Sequence, residues 1–71
     1  MKDYHINVFY NDQDEGYVAD IPDLPFCSAF GLTPEKAVKE VVRAKKAWLQ
    51  TAAKLGKPIP KPKYRPAIYA G

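Results

Sequence analysis

Residues 16–31 read GYVADIPDLPFCSAFG, and the way this stretch folds decides the rest of the chain. Tyr17, Ala19 and Ile21 alternate with Val18 and Asp20, the period of a strand with two distinct faces. Pro22 and Pro25 then bracket Asp23 and Leu24. Each proline fixes its own φ and keeps the preceding residue out of helix, so the chain must turn here as a stiff corner. FCSAF, residues 26–30, reads as a further short strand that Gly31 ends.

Upstream, YHINVFY (4–10) alternates as well, and the polar NDQDEG links it to residues 17–21. Pairing Tyr10 with Tyr17, Val8 with Ala19 and Ile6 with Ile21 places all six on one face. Downstream, Thr33 is a good N-cap, Pro34 suits the first helical position and Glu35 suits the helix dipole. Ala37, Val38, Val41, Ala44, Trp48, Leu49, Ala52 and Leu55 recur at helical spacing, and Gly56 and Pro58 end the run. The expected elements are strands at about 4–10, 17–21 and 26–30, a helix at about 34–55 and a short final strand at about 67–69. Prolines at 58, 60, 62 and 66 make the segment before that strand extended.

These elements give a single α+β domain over residues 1–71, β-β-β-α-β, with one long helix on one face of an antiparallel sheet. Small Cys27 and Ala29 turned inward let the helix approach. Phe26 and Phe30 then join Phe9 and Val18 on the outer face, which no second helix covers. An apolar patch of that kind marks an interface. Phe9, Val18, Phe26 and Phe30 are therefore the expected oligomer interface, and a chain this short gains stability from the extra burial.

Composition bounds the function classes. The chain has 71 residues, 46% hydrophobic and 27% charged, with a net charge of +3. One cysteine forms no internal disulfide, no apolar run follows the first lysine, and no stretch approaches the ~20 apolar residues of a membrane span. A cytoplasmic protein without a membrane segment is expected. The acids concentrate before residue 24, while residues 57–71 hold Lys57, Lys61, Lys63 and Arg65 and no acid. Those four are the candidate nucleic-acid residues, with Tyr64 and Tyr69 available for stacking.

Catalytic readings are weak. Cys27 with His5 lacks a third orienting group, and a lone strand cysteine is most often a small buried hydrophobe. Asp12, Asp14, Glu15, Asp20 and Asp23 are spread over a loop, an outer face and a corner, whereas metal-dependent hydrolysis needs converging carboxylates. No enzyme activity, metal or cofactor is expected.

The run GYVADIPDLPFCSAFGLTPEKAVKEV, followed by GKPIPKP, resembles the HicB-like antitoxins. The matching positions are Gly16, Tyr17, Pro22, Asp23, Leu24, Pro25, Cys27, Gly31, Thr33, Glu35, Ala37, Gly56, Pro58, Ile59, Pro60 and Pro62. The resemblance implies a degraded ribonuclease H-like sheet, assembly as dimers or tetramers, and a HicA-type mRNA-cleaving toxin as partner. The toxin would be neutralised by masking its active site. Many members carry a C-terminal DNA-binding domain; this chain resembles a short member without one. Tyr17, Asp20, Asp23 and Leu24, at or near the exposed corner, are the expected toxin contacts. Phe26 stands where the family has glycine and Leu32 where it often has aspartate. Lys45 falls on the apolar helix face and must snorkel to an edge or meet a partner. Binding of nucleic acid through the basic tail is the alternative function.

Overall fold

The computed structural model describes residues 3–65. Three strands precede one helix: β1 (Asn7–Asn11), β2 (Gly16–Asp20), β3 (Ser28–Gly31) and α1 (Pro34–Lys54). The sheet is antiparallel throughout, in the order β1-β2-β3. The fold is thus α+β, β-β-β-α over the described residues. The expected final strand at 67–69 lies outside them.

The hairpin register follows the alternation. Tyr10 faces Tyr17 and Val8 faces Ala19. Ile6 and Ile21 fall just beyond the strand ends. The β1–β2 loop closes when the Asn11 side chain accepts from the Gln13 N–H at 3.0 Å. Ala19, Ile21, Leu24, Cys27, Ala37 and Val41 form the core, and Tyr4, Ile6, Tyr17, Ala29, Ala44, Trp48 and Leu49 pack around it. Cys27 and Ala29 do face α1. The helix lies mainly over β3 and β2 and reaches β1 least. Val8 and Tyr10 therefore stay partly exposed although they sit on the inner face. The Tyr10 and Tyr17 rings compensate by packing edge-to-face, 5.3 Å apart.

The ends of α1 are satisfied locally. Thr33 Oγ1 accepts the Lys36 N–H at 3.1 Å, and Pro34 occupies the first turn, where its missing N–H costs nothing. At the C-terminus the Gly56 N–H donates to Ala53 (3.2 Å) and the Lys57 N–H to Ala52 (2.9 Å), with Gly56 at φ 67°. This is a Schellman closure, and it stops the helix at the expected place.

Lys45 snorkels. Its side chain is 16% exposed, and Nζ leaves the apolar face to reach both oxygens of Asp3, at 3.0 and 3.3 Å. The Tyr4 N–H, which donates to the same carboxylate at 2.7 Å, and then Lys45 hold Asp3 below its ordinary pKa of 3.8. A depressed carboxylate stabilises the fold above its unfolded pKa and loses that contribution as pH falls through the folded value.

Two expectations follow. Gly31 abuts the start of α1, and a Cβ there would lie 2.7 Å from the Lys36 carbonyl carbon and 2.8 Å from Ala37 Cα. Gly31→Ala should cost about 1–3 kcal/mol in denaturant unfolding, because helix backbone cannot yield as a side chain can. In an acid titration, Asp3→Asn should flatten the loss of stability below pH 3.8. An unchanged slope would mean that the Asp3–Lys45 pair contributes nothing.

Candidate functional site

The outer sheet face carries two rows. Asn7, Asp20 and Ser28 lie opposite one another across the three strands, and so do Phe9, Val18 and Phe30. One row is polar and the next apolar. Phe9 is 50% and Phe30 42% exposed, with half-buried Val18 between them. The Phe30 ring lies over Gly16, filling the space a side chain at that position would need. His5 continues the polar side, its Nε2 2.7 Å from Asn7 Oδ1. A hydrophobic strip beside hydrogen-bonding groups is suited to a protein surface rather than to a small substrate.

Phe26 does not join this face. The Leu24 N–H donates to Ile21 (3.1 Å), and the Cys27 N–H to Leu24 (3.1 Å). Two consecutive turns result, each with proline at its second position. In the second turn Phe26 takes the third position with φ 62°. Proline followed by a positive φ is the pattern of a type II turn, which glycine fills without strain. That requirement accounts for the glycine of the resembling family. Strand β3 begins only at Ser28, and Phe26 swings out fully exposed toward α1. The expected four-residue patch is thus three residues, Phe9, Val18 and Phe30, with Phe26 elsewhere.

Two of the expected contacts at the corner are engaged within the chain itself. Leu24 is 1% exposed and packs in the core with Ile21 and Val41. Asp23 is already engaged: its carboxylate accepts the Lys63 N–H at 3.0 Å and the Tyr64 N–H at 3.0 and 3.3 Å. Tyr17 is half-buried on the inner face against Tyr10. Of the four expected toxin contacts, Asp20 alone lies on the outer face, in its polar row.

Residues 57–65 form an arm bound across the corner. Tyr4 Oη donates to the Pro60 carbonyl, and the Tyr64 ring packs at 4.7 Å on His5. Lys57, Lys61, Lys63 and Arg65 are all exposed. The sequence gives no sign of Asp23 as the anchor, because an aspartate between prolines is already explained by turn chemistry.

Two hollows lie between β3 and α1. In one, Phe26, Cys27 and Ser28 face Ala44, Ala47, Trp48, Thr51 and Leu55 around about 440 Å³. In the other, Phe30, Gly31 and Leu32 face Lys36, Lys39 and Glu40 around about 430 Å³. Trp48 Nε1–H donates to the Pro25 carbonyl at 3.0 Å and fixes the indole as a wall of the first. Period-2 alternation hid the first hollow, since it treats Phe26 as a strand residue.

Burial pushes the Cys27 thiol above its ordinary pKa, with Lys45 opposing weakly, so the thiol stays protonated at neutral pH. Among the described residues no three His, Cys, Asp or Glu side chains converge as metal ligands. No described helix is long and apolar enough to cross a membrane.

Asp23→Ala should release the arm while leaving the core in place. Tryptic cleavage after Lys63, the arm's basic residue not followed by proline, should accelerate severalfold, with little change in far-UV circular dichroism. Equal cleavage rates in the two proteins would show that Asp23 does not hold the arm.

No family model and no solved structure matches the chain. A curated relative does: UPF0150 protein ssl0259 of Synechocystis sp. is 38% identical over 53 residues, which span 75% of this chain and 73% of that protein. With that identity extending through most of both chains, this protein belongs to the UPF0150 family.

Proposed function

We propose that the chain is a HicB-like antitoxin, or an orphan relative of one. In this reading it is a non-enzymatic module that works as a homo-oligomer and masks a small HicA-type mRNA-cleaving toxin. The observation that carries this reading is the apolar row Phe9–Val18–Phe30 on a sheet face that no helix among the described residues covers. The β-β-β-α order and the corner motif of the resembling family support it. Docking moves from the corner to the outer face, because Leu24 is buried and Asp23 holds the arm. Asp20 in the neighbouring polar row supplies an acid that a basic toxin would meet. Masking needs only surface complementarity, so neither a reactive thiol nor a metal is required.

The exposure of Lys57, Lys61, Lys63 and Arg65 favours one second reading, in which the arm follows a phosphate backbone. That binding would weaken steeply with salt as counterions are released.

Co-expression with a small toxin encoded beside the gene should give a complex that survives purification and should relieve growth arrest. Phe9→Asp should weaken that complex roughly tenfold or more while the chain stays folded. Absence of a complex, or unrelieved toxicity with the wild-type chain, would remove the antitoxin reading. Salt-sensitive binding to a labelled RNA would favour the second.

A further inference from the structure

We propose that the hollow walled by Phe26 and Trp48 binds a small amphipathic monocarboxylate. Its apolar body would sit between the two side chains and its carboxylate at Lys57. This goes beyond the masking function above and does not depend on a toxin.

The shape and lining supply the first argument. The hollow holds about 440 Å³ and is lined mostly by apolar side chains. Small-molecule sites have that size and character, with a few polar groups to fix orientation. Cys27 and Ala52, each 5% exposed, are its buried side. The Trp48 indole is held in place by its N–H bond to the Pro25 carbonyl at 3.0 Å. A wall that is already fixed does not have to be ordered when a ligand binds.

Charge supplies the second. Lys57 is the one charged side chain in the lining among the described residues. The helix cap puts it there. Gly56 at φ 67° reverses the chain, and the Lys57 N–H donates to the carbonyl of Ala52 at 2.9 Å. A cation is thereby tied by its backbone to a buried residue of the hollow. Lys54 in the last turn of α1 meets the partial negative charge of the helix C-terminus, which leaves the Lys57 ammonium for a ligand. Thr51, exposed in the same lining, offers a hydroxyl donor to the same carboxylate. The second hollow has no such bias, because Lys36 and Lys39 share it with Glu40.

The third argument is strain. Phe26 sits at φ 62°, an outlying backbone for a bulky residue. Strain of this kind is held where a particular side chain is wanted, and ligand sites are a common place for it. Glycine, which the resembling family has here, would make the turn without strain. Phe26 is fully exposed, so its ring adds little to the fold of the chain itself. What it adds is a wall of the hollow, and a ligand seated against Trp48 would cover it.

Trp48 is the only tryptophan, so its fluorescence reads the wall directly. Decanoate added to the full-length chain should shift that emission saturably, and decylammonium should not. Lys57→Glu should reverse this preference, whereas Lys61→Glu, outside the hollow, should leave it unchanged. Ala47→Phe, at an exposed helix position in the lining, should fill the hollow and weaken decanoate binding roughly tenfold, with circular dichroism unchanged. Phe26→Gly should raise the melting temperature yet weaken decanoate binding severalfold. No saturable shift in the wild type, or an equal shift with decylammonium, overturns the proposal. So does a folded Lys57→Glu variant that still prefers decanoate, or a folded Ala47→Phe variant that binds it as the wild type does. If Ala47→Phe fails to fold, Lys57→Glu decides alone. An emission that changes on dilution of the protein and not with decanoate gives the hollow to a second copy and also overturns it. No toxin enters these measurements, so their failure leaves the masking function standing.

Discussion

The fold turns on the closed corner at residues 21–27. Ile21 gives its N–H to Cys27 and takes one from Leu24, and Leu24 takes one from Cys27. Three residues thus bond in a ring, and their side chains, all buried, point into the core. Two proline turns pre-set the backbone, which reduces the entropy lost on closure. Strands β2 and β3, the helix and the arm all attach here. The corner sets the register of β2 against β3, its Pro25 carbonyl receives the Trp48 indole, and its Asp23 receives the arm. A chain of this size buries little surface, so one hub that serves three attachments matters more than it would in a larger domain.

Among the described residues one helix covers one face of the sheet, which leaves two surfaces incomplete. The outer face lacks a covering layer, and the β3 edge lacks a neighbouring strand among the described residues. The two surfaces meet at Phe30, which lies in the outer apolar row and on the edge strand.

Much of this was legible in the residues. The hairpin register follows from alternation, since slipping by one would turn Ala19 and Ile21 outward. The helix follows from its caps and its period. Three features were not legible: one is set by hydrogen bonds within the corner itself, and two by contacts with distant segments. Phe26 reads as a strand residue by alternation, but the ring of bonds at the corner forces it into a glycine-like turn. Leu24 reads as exposed because corners usually are, yet α1 closes over it. Asp23 reads as a turn residue, and it binds an arm 40 positions away that carries no hydrophobic signal.

That arm shapes how the chain folds. The hairpin, the corner and the helix cap all join near neighbours in sequence, so their loops close early and cheaply. The bonds from Asp23 to Lys63 and Tyr64, and from Tyr4 to Pro60, span 40 to 56 positions. They can form only after the corner exists to receive them. The molecule is thus built in two cooperative units, a nucleus complete by the end of α1 and a strap that docks last and opens first.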